Sequence, residues 1–341
     1  MISSRFEIAG EDVASHYDEL DHFYREIWGE HVHHGLWLRG DETREQAVVQ
    51  LAELVRERAL ITAGTLVCDI GCGYGATSRL LAGSGADVTA MTISAAQFAV
   101  AQERHGTTAN LRFILGDWLA NELPSESFDA AIVIESSEHM PDKPLFFHQA
   151  GRVLRRDGRL AICAWLAAEK PGRWAKNWLL EPICSEGRMP HLGSGSEYES
   201  LAQSAGFRLE KFEDLTRRVE GTWPAIVRRL LTKFATEPGY LRFLFSRHAK
   251  NRVFAVTIPR IWLAYRVNAM RYGIFTFVKS ERSIPAVLRY RGSETFRARS
   301  SKRVNSFRNV SGISPTGPLR CFAMINSASP AFSARASSSS S

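Results

Sequence analysis

An acid two residues ahead of three alternating glycines is the part of this sequence best equipped for chemistry. Asp69-Ile70-Gly71-Cys72-Gly73-Tyr74-Gly75 follows the apolar run Leu66-Val67-Cys68 and precedes a helical pattern from Ala76 to Leu81. The order reads as a strand, a tight turn and a helix N-terminus. Glycines there let a ligand approach the backbone, because no Cβ blocks it. The Asp69 carboxylate sits beside that approach, where the strand ends. A dinucleotide site would want Gly-x-Gly-x-x-Gly and an acid about 20 residues further on. Here the spacing is Gly-x-Gly-x-Gly, and the next strand ends in Met91-Thr92-Ile93-Ser94, without an acid. No Gly-Lys-Ser/Thr follows to cradle a phosphate. The turn therefore suits a nucleotide-type ligand that lacks a pyrophosphate.

Other reactive side chains fall at comparable places. Asp117-Trp118 closes a short apolar run, and Glu135-Ser136-Ser137-Glu138-His139 closes a longer one. Upstream, three histidines occupy four positions, His31, His33 and His34. No carboxylate or cysteine cluster completes a metal site around them, so neutral imidazoles lining a pocket are the expected reading. Cys68 and Cys72 are four apart, but Cys68 belongs to a strand pattern and no zinc-spaced partners follow. No metal is expected. The five cysteines are scattered and odd in number, which suits a reducing cytoplasm.

The elements that must position these groups follow in order. An aromatic-rich helical segment runs from Ser15 to Trp28, and Thr43 to Ala59 is an amphipathic helix. Strands are expected from Leu66, over 86–92, 111–115, 128–134 and 159–165, with helices over 76–82, 94–104 and 145–154 between them. Ser94 can cap the second of these helices. The run over 128–134 is apolar throughout, as a strand buried on both faces should be. Strand–helix alternation gives an α/β, Rossmann-like, mostly parallel sheet with helices on both faces, which binds ligands at the carboxyl ends of its strands. Asp69, Thr92, Asp117, Glu135 and His139 all fall at such ends.

Residues 166–195 show no regular period. A helix over 197–205 and a strand over 207–215 follow. Then comes a helical, aromatic cap insertion over about 216–270, and a last strand, antiparallel, over 272–278. The cap reads equally as a substrate lid or as a helical finish to the core. The expected division is an N-terminal helical segment over 1–60 closing the site, a catalytic domain over 61–279 and a tail over 280–341.

The 341-residue chain carries a net charge of +7. Ten Arg and Lys against Glu281 and Glu294 give the tail +8, which leaves −1 for the rest. The basic balance thus belongs to the tail and does not make the body a nucleic-acid binder. The Ser/Arg-rich tail has no sustained period, and its composition predicts disorder. Contact with an anionic membrane or a nucleic acid through it is open, as is the oligomeric state. No apolar run reaches the roughly 18 residues of a spanning helix, and no secretory signal is evident.

With these residues in view, Asp-x-Gly-x-Gly-x-Gly resembles motif I of class I S-adenosylmethionine (SAM) methyltransferases. SAM carries no phosphate, and its amino group and sulfonium are cationic, so an acid beside the glycines suits it. Two stretches resemble γ-tocopherol methyltransferases and their bacterial relatives: Tyr17-Asp18 with Ile27-Trp28-Gly29-Glu30-His31-Val32-His33-His34-Gly35, and Glu135-Ser136-Ser137-Glu138-His139-Met140-Pro141-Asp142-Lys143. Thr92-Ile93-Ser94-x-x-Gln97 fits that group and the related cyclopropane-fatty-acid synthases. The resemblance runs from about Tyr17 to Lys279. It implies that Asp69, Gly71 and Gly73 hold the methionine half of SAM, Thr92 and Gln97 contact the ribose, and Asp117 and Trp118 flank the adenine. Tyr17 and His34 would close over the cofactor, and the backbone around Glu135 and Ser136 would meet its amino acid end.

The implied reaction is methyl transfer to an amphipathic phenolic or isoprenoid small molecule. In-line positioning supplies most of the acceleration. A phenol needs a base, and the candidates are His139 first, then Glu138 and His33. Two roles stay open for His139, catalysis or a packed loop histidine. Two rival functions remain: methylation of a small amine or other secondary metabolite, and a non-catalytic SAM-binding protein acting through its tail.

Overall fold

The computed structural model describes residues 1–237 and 254–280. The expected tail beyond Ser280 and the part of the cap over 238–253 lie outside the described residues. Five apolar runs become parallel strands: β1 (Leu66–Ile70), β2 (Asp87–Thr92), β3 (Leu111–Leu115), β4 (Phe128–Ile134) and β5 (Leu154–Ala167). β6 (Phe207–Asp214) and β7 (Met270–Lys279) complete a seven-stranded sheet of order β3-β2-β1-β4-β5-β7-β6. β7 runs antiparallel to both of its neighbours, and the other pairs are parallel. The expected Rossmann-like sheet with an antiparallel last strand is the one observed.

Alternation along the strands splits the core into two apolar layers. Val67 and Ile132 face a layer with Leu51, Val55, Leu81 and Ala101. Cys68 and Val133 face one with Phe146, Phe147, Ala150, Tyr198 and Ala202. These partners come from helices α2 (Arg44–Arg58), α3 (Ala76–Gly83) and α4 (Ala95–His105) on one side, and α5 (Lys143–Val153) and α6 (Gly195–Ser204) on the other. Local chemistry starts these helices. Thr43 and Gln46 exchange side-chain-to-backbone hydrogen bonds at the head of α2, a capping box, and Ser94 Oγ accepts from the Gln97 amide at the head of α4.

Three expectations change. The N-terminal helix α1 (Gly10–Glu19) begins five residues before Ser15, because the Asp12 carboxylate accepts from the Ala9 amide and closes its first turn. The last expected strand, over 159–165, begins earlier, at Leu154, and residues 156–158 form a bulge inside β5, where the pairing slips between Phe128 and Ala130. The stretch 166–195 is not irregular, since a helical run spans 173–186 with a π turn at Lys176–Leu180. It packs against the cap helix α8 (Phe254–Arg266), while the cap helix α7 (Thr222–Thr236) packs on the π turn Tyr24–Trp28. Residues 1–60 and 61–279 fall within one compact unit, Met1–Ile284.

Gly75 joins the turn to α3 at φ +80°, and a Cβ there would lie 2.6 Å from the Phe113 ring. Gly75→Ala is therefore expected to cost about 1–3 kcal/mol, read as a lower melting temperature by differential scanning calorimetry. An unchanged melting temperature would contradict this packing.

Candidate active site

The loop after β1 and the carboxyl ends of β2, β3 and β4 open on a cleft. Gly71, Gly73, Thr92, Gln97, Asp117, Trp118, Glu135, His139 and Tyr17 all line it. The two glycines differ in reason. A Cβ on Gly71 would strike Ser136 at 2.3 Å, so Gly71 permits close packing of two loops. Gly73, at φ +56°, has nothing within 4 Å of where its Cβ would stand and leaves its backbone open to a ligand. At the far end Thr92 Oγ1 donates to Gln97 Oε1 (2.9 Å), and Asp117 caps a turn by accepting from the Leu119 amide (2.9 Å). Trp118 is buried beneath, with its indole N–H on the Phe146 carbonyl.

A crevice shares Gly71, Gly73, Val32 and Ile134 with this cleft and adds Asp69, His31, His33 and Thr77. Asp69 accepts one hydrogen bond, from Ser78 Oγ at 2.6 Å, and burial pushes its carboxyl up to about 6. His33 Nδ1 donates to the His34 carbonyl at 2.7 Å, which leaves Nε2 to accept from His31 Nδ1 at 3.1 Å. Burial holds His31 down at about 3 and lowers His33 as well, so both rings are neutral, as expected of pocket-lining imidazoles. His33 thus lines the crevice at the Asp69 end and does not line the cleft.

A second cavity meets the cleft at Tyr17, Val32, Glu135 and His139. Tyr24, Trp28, Trp165, Ile183, Met189, Thr257 and Ile261 line it further, with Glu138 and Gly187. On the shared boundary Tyr17 Oη donates to His139 Nε2 (3.0 Å), while His139 Nδ1 donates to the Arg188 carbonyl (3.0 Å). Burial drops the imidazole to about 4 and raises the Tyr17 phenol well above its ordinary value, so the pair is neutral. Glu138 accepts from the Trp165 amide (2.5 Å) and from Ser137 Oγ (3.0 Å). Its carboxyl is raised to about 7, chiefly by burial.

His34 is a correction. It lines neither cavity. Its ring is fully buried among Trp28, Trp165, Trp223, Tyr265 and Tyr272, and its Nδ1 meets Glu135 at 2.9 Å. It therefore stands behind Glu135 instead of over the cofactor. Glu135, at φ +54°, accepts from the His34 amide, His34 Nδ1, Trp165 Nε1 and Tyr272 Oη, all within 2.9 Å. Burial opposes its ionisation, but the pull and hydrogen bonds of His34 outweigh that and hold it at about 2. Trp165 and Tyr272 were not singled out from sequence. Their one signal is a polar-edged aromatic at the end of one strand and the start of another.

The family model for mycolic acid cyclopropane synthetase matches residues 5–234. The chain belongs to that family. It is 30% identical over 289 residues to the chloroplast tocopherol O-methyltransferase of Arabidopsis thaliana, covering 78% of this chain and 81% of the relative. It is 29% identical over 299 residues to the 2-methyl-6-phytyl-1,4-hydroquinone methyltransferase of Synechocystis sp., covering 84% and 85%. Among solved structures, mycolic acid cyclopropane synthase CmaA1 in complex with SAH and CTAB superposes with a TM-score of 0.69 at 21% identity, over 81% of this chain and all of that one. The protein is a class I SAM-dependent methyltransferase.

The site fits that cofactor. The crevice offers a carboxylate and two neutral imidazoles without a cation for phosphate, the open Gly73 backbone lies between, and the Thr92–Gln97 and Asp117–Trp118 pairs stand at the other end. Bound SAM supplies an electrophilic methyl group on a sulfonium. Asp69, His31, His33 and Gly73 at one end and Thr92, Gln97, Asp117 and Trp118 at the other would hold it, with Tyr17 and His139 on the boundary with the second cavity.

Two outcomes follow. Asp69 must be ionised to attract a cation, so SAM affinity should fall as pH drops through about 6. Between pH 7.5 and 5 the loss should be roughly tenfold, and titration calorimetry on Asp69→Asn should show weaker binding without that pH dependence. Glu135→Gln would set an amide NH2 among four donors, with an expected stability loss of about 3 kcal/mol in urea unfolding. Because the folded carboxyl lies below its unfolded value, the parent's corresponding stability is present above about pH 4.5 and fades as pH falls toward 2.

Proposed function

We propose that the protein transfers the methyl group of SAM to an amphipathic phenolic or isoprenoid acceptor seated in the second cavity. The observation that carries this reading is the makeup of that cavity. Its wall is aromatic and aliphatic, from Tyr24, Trp28, Trp165, Ile183, Met189 and Ile261, and ionisable groups lie where it meets the cofactor cleft. An apolar tail fits the wall, and a hydroxyl fits the boundary. The tocopherol and phytyl-hydroquinone relatives act on acceptors of this shape by name.

Glu138 is the base in this reading. A carboxyl near 7 can take a phenolic proton at neutral pH, and it lines the acceptor cavity. His139 ranks behind it, reversing the sequence-based order, because its lone pair already accepts from Tyr17. Its role here is to orient. A small-amine acceptor is the weaker alternative, since Glu135, the carboxylate best able to hold a cation, is saturated by four donors. An isoprenoid acceptor also brings the protein to a membrane surface. A cytoplasmic setting, with cysteines kept reduced, belongs to the same proposal.

Incubation with labelled SAM and a panel of chromanols, prenylated benzoquinols and small amines tests this. Product is expected from the phenolic set, with a rate that rises as pH passes about 7. Glu138→Gln should lower kcat by about 10²-fold or more with SAM affinity unchanged. Transfer to amines alone, or to nothing, would sink the acceptor assignment.

A further inference from the structure

The wall of the acceptor cavity has an outer side. Ile183 reaches the cavity from the helical run over 173–186, and Thr257 and Ile261 reach it from α8. These two elements pack on each other. Facing away from the cavity, the run exposes Trp174 (56%) and Trp178 (69%), four residues apart and so on one helical face. From α8, Trp262 is 45% exposed, with Leu263 and Val267 beside it. Isolated exposed apolar residues are ordinary, but three tryptophans on two packed elements are not.

Charge points the same way. The stretch 170–180 holds Lys170, Arg173 and Lys176 and no acid, and 254–268 holds Arg260 and Arg266 and no acid. The acids at the border of this stretch and within the later part of the run are engaged: Glu169 accepts from Ser196, Glu181 from Arg5, and Glu186 is paired with Arg260 and Thr257. Lys170, Arg173, Lys176 and Arg266 are exposed, and Arg266 lies 5.5 Å over the Trp262 ring. Tryptophan favours the boundary between headgroups and hydrocarbon, and lysine and arginine beside it favour anionic headgroups.

We propose that this face, Trp174, Trp178 and Trp262 with the surrounding cations, docks the protein on an anionic lipid surface. It rests on the reading of the acceptor as amphipathic and names the surface through which such an acceptor is met. Docking there sets the two elements that wall part of the acceptor cavity against the membrane.

The test is flotation of the full chain with phosphatidylcholine vesicles, plain or with about one-third phosphatidylglycerol. Binding is expected only to the anionic vesicles and should weaken with salt. Trp174→Ser/Trp178→Ser/Trp262→Ser and, separately, Arg173→Glu/Lys176→Glu should each lower bound protein about tenfold or more. Turnover of a soluble chromanol without vesicles should stay at the parent's rate. Should the serine set lower the melting temperature, the charge pair, both of whose side chains are exposed, reads the same surface. Flotation unchanged in both sets would assign the binding elsewhere, the basic tail included, and overturn the proposal. So would absence of flotation by the parent, or a tryptophan-dependent dimer in lipid-free sedimentation, which would give the face to a second copy. The soluble-acceptor assay fails or succeeds independently, so a wrong acceptor class is distinguishable from a wrong surface.

Discussion

The Glu135 carboxylate is the constraint on which the site depends. An ion this deeply buried costs several kcal/mol unless its lone pairs are met. Four donors meet them, and they come from three parts of the chain: His34 of the N-terminal segment, Trp165 at the end of β5 and Tyr272 at the start of β7. The backbone at Glu135 takes a positive φ to aim the side chain, a strain the hydrogen bonds offset. One acid thereby ties the segment around His34 to the sheet. Neighbouring contacts reinforce the tie: the Gly35 amide donates to Thr222 Oγ1, a Cβ on Gly35 would lie 2.6 Å from that of Ala47, and Arg44 donates to the His31 carbonyl. With the segment fixed, His31 and His33 close one end of the cofactor channel.

Ionised Glu135 also tunes its neighbour. Its charge adds to burial in raising Glu138, so the same acid that is held at about 2 helps keep the second near 7. Divergent environments for two nearby carboxyls would divide labour, in the proposed reaction, between structure and proton transfer. Asp69 stands apart, with one donor and deep burial, at about 6. A cation arriving beside it compensates the buried charge, which couples its ionisation to ligand binding. Lys143, equally buried, binds three carbonyls of the Ser137–Met140 loop, and so fixes the loop that carries Glu138 and His139.

What could be read from sequence was what local physics decides. β3 and β4 carry the bounds their apolar runs suggest, and Ser94 caps the helix it precedes. The cleft residues from Gly71 to Trp118 were legible because a parallel sheet collects its strand ends on one edge. The helical run over 173–186 was hidden because Gly172, Pro182 and a π turn break its period, and its partner, α8, is about 80 residues away in sequence. His34 was misplaced because a position matched by family likeness says nothing of which way a side chain turns. Its ring found a better environment among five aromatic rings and Glu135.

The acceptor wall was the least legible part for a related reason. Its residues lie at 17–32, 135–139, 165, 183–189 and 257–261, so no window of sequence holds the pattern. The family match over 5–234 takes in the cofactor site and most of this wall but ends before α8, which adds Thr257 and Ile261. Donor and acceptor recognition therefore have different sources. SAM is met by strand ends and their loops, whose geometry the sheet dictates. The acceptor is met by side chains on packed helical elements, where one substitution reshapes the cavity without touching the sheet. Such a division lets one cofactor site serve acceptors of different outline. It also puts Ile183, Thr257 and Ile261 of that wall on the two elements that present tryptophan outward, so the proposed docking surface and this part of the wall belong to one layer.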